Sequence, residues 1–401
     1  MGTLLQQSTK KTNSKIIMVV IDGLGGMPHP QYYHRSELEV ANLPNLDNLS
    51  SVSSSGLTIP VDHGITPGSG PGHLALFGYD PTTEFIGRGV LETLGIGINL
   101  TKNDLAIRGN FCTINQQGII TNRRANRINN NEAQRLCKLL QNISPSNFEI
   151  HHVMEHRFAI VIRSSNEIEL NAQITDTDPQ VEGEKPLQAE AINPSAKDTV
   201  NLINNFQATA KKTLAKETQG NMILLRGYSQ LPKLPSFQEK YLLNPCAIAA
   251  YPMYRGIAKL AGMTIKECKP NINNQLEVLK KNVKNHDFIF FHYKNADAKG
   301  EDGDFESKVQ SLEQIDSIIG EIRNLNPDVL IVCGDHSTPS FIGEHSWHPV
   351  PLIIHSKWTN ANGIKHFDEK HCAKGDLGIL YAKNIMNLAL SHAGKLSKFG
   401  A

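Results

Sequence analysis

The sequence predicts an α/β fold in which a mostly parallel sheet has helices on both faces and a smaller α/β domain is inserted. Short apolar runs at residues 16–21, 288–291 and 329–333 are typical of strands buried on both faces, as in parallel sheets. Apolar residues recur at three- and four-residue steps between 305 and 322, which indicates a helix packed on that sheet. A more polar stretch between the first two runs indicates the insertion.

The remaining elements are less regular. Residues 44–56 resemble a short helix that Gly56 ends, and residues 376–390 resemble the last helix. Alternating apolar and polar residues at 156–164 predict a strand inside the insertion. We place the inserted domain at residues 113–230, which divides the sheet domain into residues 1–112 and 231–401.

Composition and charge narrow the class of protein. The 401 residues are 39% hydrophobic and 20% charged, as in globular proteins, and the net charge of +1 argues against nucleic acid or an anionic membrane as partner. The N-terminus is polar, without the apolar core that a signal peptide has, and we expect it to be a loose tail. No apolar run approaches the ~20 residues of a membrane helix. Six scattered cysteines without CxxC spacing fit reduced thiols, so we expect a cytoplasmic protein.

Acidic residues follow all three apolar runs. Asp22 comes directly after the first run, Asp297 a few residues after the second, and Asp335 with His336 after the third. Because the carboxyl ends of parallel strands lie at one edge of a sheet, where ligands bind, we expect these side chains to lie close together. One such acid is often only a helix cap, but three with a histidine favour a metal site.

Glu301 and His345 extend this set. Oxygen and imidazole groups without thiolates suit Mn²⁺, Zn²⁺ or Mg²⁺. Four carboxylates are too many for one ion, so the sequence predicts two divalent cations, which would also keep neighbouring carboxylates ionised. His348 fits a surface or supporting position better than a ligand position, and Asp302 and Asp304 fit caps of the following helix.

Ser69 lies in the segment TPGSGPGHLALFGYDP, residues 66–81, with glycines on both sides. A turn residue is the simplest interpretation. A nearby divalent cation would instead activate the hydroxyl as a nucleophile, and the small neighbours leave room for a phosphate. A helix starting near Gly72 would present free N–H groups to that phosphate. We interpret His63 and His73 as packing or hydrogen-bonding residues of this loop.

Ten motifs, in this order, resemble those of the archaeal-type cofactor-independent phosphoglycerate mutases of the alkaline phosphatase superfamily: VIDGLGG, PNLDNL, TPGSGPGHLALFGYDP, GRGVLETLGIGI, IRGNF, NRRANRI, DTDP, LLRG, GDHSTP and HSWHPVPL. The similarity runs from about residue 16 to about residue 390. The resemblance implies an alkaline-phosphatase-like sheet. It also implies a glycolytic and gluconeogenic isomerase that needs no 2,3-bisphosphoglycerate.

The resemblance also implies roles for the candidate residues. Ser69 would take the phosphate of 3-phosphoglycerate, and the glycerate would turn in a closed cleft before the phosphate returns to its other hydroxyl as 2-phosphoglycerate. By motif position, one ion would be held by Asp22, Ser69, Asp335 and His336, and the other by Asp297, His345 and the residue at position 301. We expect Mn²⁺, with Zn²⁺, Mg²⁺ and Co²⁺ as alternatives.

Position 301 departs from the family pattern. Family members usually have D-x-x-G-H after the second strand, whereas DAKGE places Glu301 where the ligand histidine belongs. A carboxylate can bind the same ion, but its negative charge alters the metal preference. We expect a working second site with Glu301, since the other ligand positions are filled, and the alternative is that this branch has drifted.

Basic residues are expected to recognise the substrate, because guanidinium groups match both phosphates and carboxylates. The resemblance points to Asp178 for the glycerate hydroxyl proton, and the position of Lys294 near Asp297 favours a contact with the phosphate. It points to five arginines in or beside the insertion: Arg108, Arg124, Arg127, Arg157 and Arg226. Their location indicates that the insertion is a lid that keeps water off the phosphoserine.

Two other classes of function stay open. The first is a related metal enzyme of the same superfamily: either a phosphohydrolase, which would release inorganic phosphate, or a phosphotransferase, such as a homoserine-kinase-like enzyme, which would act on another small alcohol. A binding protein without its second ion would form no phosphoserine. We expect a small phosphorylated molecule as partner, with neither nucleic acid nor membrane, and the oligomeric state stays open.

Overall fold

The structure, a computed structural model, describes residues 4–84, 86–164, 169–359 and 363–400. Within these residues the strands are β1 (Ile16–Ile21), β2 (Ser54–Ile59), β3 (Leu105–Ile114), β4 (Ile120–Asn122), β5 (Phe148–Met154), β6 (Arg157–Ile162), β7 (Met222–Ser229), β8 (Pro245–Ile248), β9 (Thr264–Ile265), β10 (Phe288–Tyr293), β11 (Val329–Cys333), β12 (Val350–Ser356) and β13 (Gly378–Tyr381). The α-helices are α1 (Leu4–Ser8), α2 (Glu37–Val40), α3 (Pro44–Ser50), α4 (Ser69–Leu76), α5 (Arg88–Gly95), α6 (Asn130–Ile143), α7 (Lys197–Leu214), α8 (Phe237–Tyr241), α9 (Pro252–Leu260), α10 (Ile272–Asn282), α11 (Asn295–Glu301), α12 (Phe305–Asn324), α13 (Glu369–Cys372) and α14 (Ile385–His392).

The chain forms two compact units. The first consists of Met1–Phe85 and Leu234–Ala401, and the second is the continuous stretch Ile86–Lys233. The six cysteines are all free thiols, as expected. Among the described helices, none has both the length and the apolar character needed to cross a membrane.

The first unit contains a sheet whose described strands run in the order β13-β2-β12-β11-β1-β10-β8-β9. All pairs are parallel except β11 with β12 and β12 with β2. β1 lies between β10 and β11, and Ile16 is paired with both Phe288 and Val329. The predicted mostly parallel α/β fold is therefore confirmed, and the three apolar runs are adjacent central strands.

Helices cover both faces of this sheet. On one face, Ile289 and Phe291 of β10 belong to a core that includes Leu312 and Ile315 of α12. On the other face, Phe290 packs edge-on against Phe77, with ring centroids 5.0 Å apart. Each fully buried side chain of this size contributes roughly 1.5–3 kcal/mol to folding. Burial on both faces explains why the central strands are apolar without alternation.

The second unit contains an antiparallel sheet with the described order β4-β3-β6-β5, and β7 pairs with β3. The predicted strand at 156–164 is β6. Helices α6 and α7 pack against one face, where Leu136 and Phe206 join Phe148 and Ile160 in one core. The unit therefore has a hydrophobic core of its own.

The second unit begins earlier than the predicted insertion at residue 113. Helix α5 and strand β3 belong to it, because Leu105, Ile107 and Phe111 lie in its core. The polarity change near residue 113 marks only the end of β3, whose first eight residues are buried. The C-terminal boundary, at residue 233, lies close to the predicted residue 230.

Three local predictions were wrong. Gly56 does not end a helix, since α3 ends at Ser50 and Gly56 lies within β2, where a Cβ would be 2.5 Å from Gly378 O. Residues 376–390 are not one helix, because β13 adds to the edge of the sheet beside β2 before α14 begins. The N-terminal segment is not a loose tail, since Lys10 N donates to Lys395 O at 2.8 Å.

Candidate active site

The carboxyl ends of β1, β10 and β11 bring the predicted acidic residues together. Asp22 directly follows β1, and its N–H donates to Tyr293 O at the end of β10. Asp335 and His336 follow β11 after a single glycine. Asp297 lies in the first turn of α11, which begins two residues after the end of β10. The three parallel strands therefore place all four side chains at one edge of the sheet.

The first cluster consists of Asp22, Asp335 and His336, whose ligand atoms lie within 4.8 Å of one another. His336 Nε2 is 3.4 Å from Asp22 Oδ1 and 3.2 Å from Asp335 Oδ2. Ser69 Oγ is 3.3 Å from the same nitrogen. All four residues are buried, with Ser69 only 4% exposed. The structure thus brings the Ser69 hydroxyl to the group expected to hold one cation.

Ser69 is the first residue of α4, so the helix starts three residues earlier than expected. Gly72 packs so tightly against the loop after β11 that a Cβ there would be 2.3 Å from Asp335 O. A side chain at position 72 would therefore push α4 away from Asp335. This close approach explains one of the glycines beside Ser69, and the N–H groups of the first turn of α4 lie next to the hydroxyl.

The second cluster consists of Asp297, His336 and His345. Asp297 Oδ1 is 3.6 Å from His345 Nε2, and the rings of His336 and His345 stack with centroids 3.6 Å apart. Glu301 is in neither cluster of the described residues. Its Oε1 is 3.7 Å from His345 Nε2, and its side chain is 55% exposed. Glu301 therefore lies at the margin of this group.

The electrostatics of the first cluster favour ionised carboxylates beside a neutral imidazole. Burial raises the pKa of Asp22, but Lys294, His292 and His336 more than offset it, so the pKa lies well below its usual value. Burial lowers the pKa of His336, and the nearby carboxylates only partly oppose this. Lys294 Nζ is 3.3 Å from Asp22 Oδ2 and also contacts Asp297.

The side chains present fit a divalent cation. Asp22 Oδ1 and Asp335 Oδ2 are buried and accept no hydrogen bond from the described residues. His73 Nδ1 is 3.1 Å from Asp335 Oδ2, but its proton is directed to Ser69 O at 2.9 Å. A buried carboxylate oxygen without a donor is costly, and two of them facing one imidazole nitrogen form a cation-binding arrangement.

The sheet of the second unit carries three of the five predicted arginines. Arg108 of β3 is paired with Arg226 of β7, and the neighbouring Asn110 is paired with Arg157 of β6. Burial lowers the pKa of Arg108 to about 10, with Glu92 opposing the shift. Its buried Nε donates to no described residue. This cluster therefore presents buried positive charge suited to an anion.

Asp178 is buried beside this cluster. Arg123 contacts both its carboxylate oxygens, at 3.2 and 2.8 Å, and Arg226 Nη1 is 3.5 Å from Oδ2. Arg124 and Arg127, which are exposed, line a cavity of about 560 Å³ with Gln180 and other residues. Arg123, in the segment NRRANR at residues 122–127, is thus the arginine that pairs with Asp178. The sequence had pointed to its neighbours Arg124 and Arg127 instead.

Comparison with known proteins identifies the family. A family model described as 2,3-bisphosphoglycerate-independent phosphoglycerate mutase matches residues 51–219. A probable enzyme of that name from Aquifex aeolicus is 44% identical over 99% of this chain and 100% of its own length. The chain belongs to this family. A probable phosphoglycerate mutase from Thermotoga maritima is also 44% identical, over 97% of this chain and 96% of its own.

Solved structures agree with the assignment to the phosphoglycerate mutases. The PH0037 protein of Pyrococcus horikoshii has a TM-score of 0.83 and 25% identity, covering 98% of this chain and all of that one. The cofactor-independent phosphoglycerate mutase of Thermoplasma acidophilum has a TM-score of 0.67 and 28% identity over 95% of this chain and all of its own. The family resemblance seen in the motifs is therefore confirmed.

Two buried histidines lie against the first cluster of this mutase-family chain without having been predicted there. The sequence did not lead us to His292, and it indicated only a packing or hydrogen-bonding role for His73. His292 Nε2 is 3.1 Å from Asp22 Oδ2, and His73 lies against Asp335 as described above. His292 has a readable signal, since a histidine near the end of an otherwise apolar central strand needs a polar partner. His73 follows Ser69 by one helical turn, which places it beneath the same cluster.

Proposed function

We propose that this protein interconverts 3-phosphoglycerate and 2-phosphoglycerate through a phosphoserine at Ser69, without 2,3-bisphosphoglycerate. The observation that carries the proposal is the buried convergence of the Ser69 hydroxyl on His336, Asp22 and Asp335 in a chain of this family. Two of the carboxylate oxygens there have no hydrogen-bond donor among the described residues. That arrangement suits phosphoryl transfer better than a structural role for the serine.

Asp22, Ser69, Asp335 and His336 are our candidates to hold one divalent ion, and Asp297, Glu301 and His345 to hold the other. Mn²⁺ suits this mixture of carboxylate and imidazole groups. When bound, such ions supply positive charge that activates a nucleophile and neutralises the oxygens of a transferring phosphoryl group. Lys294, which contacts both Asp22 and Asp297, adds a fixed positive charge for the phosphate.

The reaction balances as two phosphoryl transfers. In the first, Ser69 Oγ loses its proton and bonds to phosphorus while the bond from phosphorus to O3 of the substrate breaks, and O3 gains a proton. In the second, O2 of the reoriented glycerate loses a proton and bonds to phosphorus, and Ser69 is released with its proton restored. Asp178 is our candidate for moving the proton of the glycerate hydroxyls, and Arg123 orients its carboxylate.

The arginine cluster of the second unit is our candidate for binding the glycerate carboxylate and the phosphate. Arg108, Arg157 and Arg226 lie on neighbouring strands. Because burial disfavours the charged form of Arg108, a bound anion would stabilise its guanidinium group. Guanidinium groups also hold a substrate in place by paired hydrogen bonds, which is needed when the glycerate must turn without leaving. Arg124 and Arg127 are more exposed and are assigned a secondary part in substrate binding.

The test is an assay of 2-phosphoglycerate formed from 3-phosphoglycerate without bisphosphoglycerate, run with Mn²⁺, Mg²⁺ and Zn²⁺ in turn. We expect product with at least one metal, none after chelation, and none with Ser69→Ala. Ser51→Ala, at an exposed serine beyond α3, is the matched control and is expected to keep full activity. Trapped phosphate is expected on Ser69 by mass spectrometry.

Inorganic phosphate released at the turnover rate, with little 2-phosphoglycerate, would instead identify a phosphohydrolase. Phosphate transfer to another small alcohol, with no mutase product, would identify a phosphotransferase. Either result would overturn the mutase assignment while keeping Ser69 as nucleophile. Full activity of Ser69→Ala would overturn the mechanism itself.

A further inference from the structure

Thr338 bridges the two clusters of the candidate active site. Its hydroxyl Oγ1 is 2.6 Å from Asp297 Oδ1 and 3.0 Å from His336 Nδ1, and the residue is fully buried. His336 Nδ1 and Asp297 Oδ1 themselves lie 3.9 Å apart, which is too far for a direct hydrogen bond. The hydroxyl therefore makes a connection that these two side chains cannot make alone.

The protons of this bridge can be assigned from its chemistry. A threonine hydroxyl has one proton and two lone pairs, and an ionised carboxylate can only accept. Since Oγ1 must donate its proton to Asp297, it can only accept from His336, so Nδ1 of a neutral His336 carries the ring proton. Nε2 then has a lone pair, which agrees with Ser69 Oγ lying 3.3 Å away as a donor.

We propose that Thr338 is a positioning residue that fixes the His336 tautomer and the orientation of Asp297. The inference rests on the proposed metal site but not on the identity of the substrate. Its consequence is that Nε2 of His336 faces Asp22, Asp335 and Ser69 as a ligand, while Nδ1 is not available to the second cluster. His336 then belongs to the first ion, and Asp297 and His345 need another ligand, such as Glu301.

Thr338 is itself held from several sides. Its N–H donates to Gly25 O at 3.0 Å, which ties it to the loop that follows β1. Lys308 Nζ, fully buried in α12, donates to Thr338 O at 2.8 Å and to Gly25 O at 2.9 Å. Gly300 of α11 packs so closely that a Cβ there would be 2.3 Å from Thr338 O.

These contacts leave the hydroxyl little freedom to turn away from its two partners. The loops after β1 and β11 and the helix that carries Asp297 all meet at Thr338. A group held this firmly behind a metal ligand typically changes metal affinity by about 10- to 100-fold when it is removed. That range sets the size of the effect to look for.

The experiment compares Thr338→Val, which keeps the shape without the hydroxyl, with Thr338→Ser, which restores the hydroxyl. The first readout is the tautomer of His336 in the full-length, metal-free protein, from nitrogen-15 NMR of labelled histidine, with His336→Gln used to assign the signal. The second is the Kd for Mn²⁺ from competition with a chelator. Thr58→Val, at a buried threonine of β2 that donates to Val350 O, is the matched control.

We expect Nδ1 of His336 to be protonated in the wild type and in Thr338→Ser, and the Nε2-protonated form to appear in Thr338→Val. We expect Mn²⁺ binding to weaken by about 10- to 100-fold in Thr338→Val, to stay near wild type in Thr338→Ser, and to be unchanged in Thr58→Val. Equal loss in the valine and serine variants would assign the effect to packing and would overturn the proposal.

If Thr338→Val fails to fold, the tautomer of His336 in the wild type still tests the role of Thr338. Protonation of His336 on Nε2 in the wild type would overturn the proposal. This outcome is separate from failure of the proposed function. A protein that shows the expected tautomer and metal loss but no mutase activity would keep the role of Thr338 and refute the mutase assignment. A protein with mutase activity but with the proton of His336 on Nε2 would keep the mutase assignment and refute the role of Thr338.

Discussion

The candidate active site of the first unit and the arginine cluster of the second unit have opposite charge imbalances. In the first unit, Asp22, Asp335 and Asp297 are buried carboxylates, and among the described residues the ammonium group that contacts two of them, Asp22 and Asp297, is that of Lys294. In the second unit, the buried or half-buried guanidinium groups of Arg108, Arg123, Arg157 and Arg226 outnumber the nearby carboxylates of Asp178, Asp176 and Glu92. The comparison teaches that the charge of each region suits a ligand of the opposite sign: cations in the first unit, and an anion in the second.

The largest expected effect is that of Asp335→Asn, which removes a negative charge from the first cluster. Because a bound cation contributes several kcal/mol to catalysis of phosphoryl transfer, we expect activity to fall about 10³-fold or more. Bound metal is measured by elemental analysis together with turnover. Asp198→Asn, at an exposed acid of α7, is the control. Full metal content and activity in Asp335→Asn would refute the expectation that the first cluster binds a cation through Asp335.

The next prediction concerns the stability of the second unit in acid. Burial lowers the pKa of His156 to about 3, and the charges of Arg157 and Arg108 add to the shift. Since the unfolded histidine, with a pKa near 6.5, binds the proton more readily, stability is highest above pH ~6.5 and falls as the pH drops toward 3. We expect a loss of about 2–4 kcal/mol across that range.

His156→Gln should flatten this pH dependence, because the glutamine cannot be protonated. Urea unfolding followed at several pH values between 4 and 7 would measure it. The same pH slope in the variant and in the wild type would show that the positive charge of the cluster does not act on position 156.

A smaller effect is expected from Arg108→Met in the second unit. Loss of one charge-assisted contact with an anion should lower kcat/KM by roughly 10- to 100-fold, while the metal content stays at the wild-type value. Arg135→Met, at an exposed arginine paired with Glu132, is the matched control. Loss of bound metal in Arg108→Met as well would refute the assignment of cation binding to the first unit and of anion binding to the arginine cluster.

The smallest effect is expected from Glu301→His, which introduces the histidine that the family usually has at this position. Because imidazole suits Zn²⁺ better than Mg²⁺, we expect the ratio of Zn²⁺ to Mg²⁺ affinity to rise by ~10-fold. Isothermal titration with each ion measures the ratio. An unchanged ratio would mean that the 301 side chain, which is more than half exposed, does not contact the second ion.

Much of the sheet and of the candidate site was predictable, because strand ends can be read from the sequence. Asp22 directly follows one apolar run, Asp335 and His336 follow another after a single glycine, and parallel strands place such residues at one edge. Other contacts depend on which strands are neighbours. The pairing of β10 with β1, which brings His292 to Asp22, joins segments about 270 residues apart. The sequence around His292 therefore indicates that this histidine needs a polar partner, but not that the partner is Asp22.

Two other features could not be predicted because they oppose the usual preferences of their residues. Lys308 is fully buried in α12, although lysine is almost always exposed. The backbone oxygens of Gly25 and Thr338, together with the buried carboxylate of Glu37 at 3.9 Å, explain its position. Gly56 lies inside a strand, although glycine usually ends regular structure, because a neighbouring backbone oxygen leaves no room for a side chain.

The interrupted first unit has a consequence for synthesis of the chain. β1 lies at the centre of its sheet, yet both of its neighbours, β10 and β11, are encoded only after residue 287. The second unit is continuous, and its core can close while the ribosome is still translating. The nascent β1, which is entirely apolar, therefore stays exposed without its partner strands while the second unit folds. We expect the chain to need a chaperone during this interval.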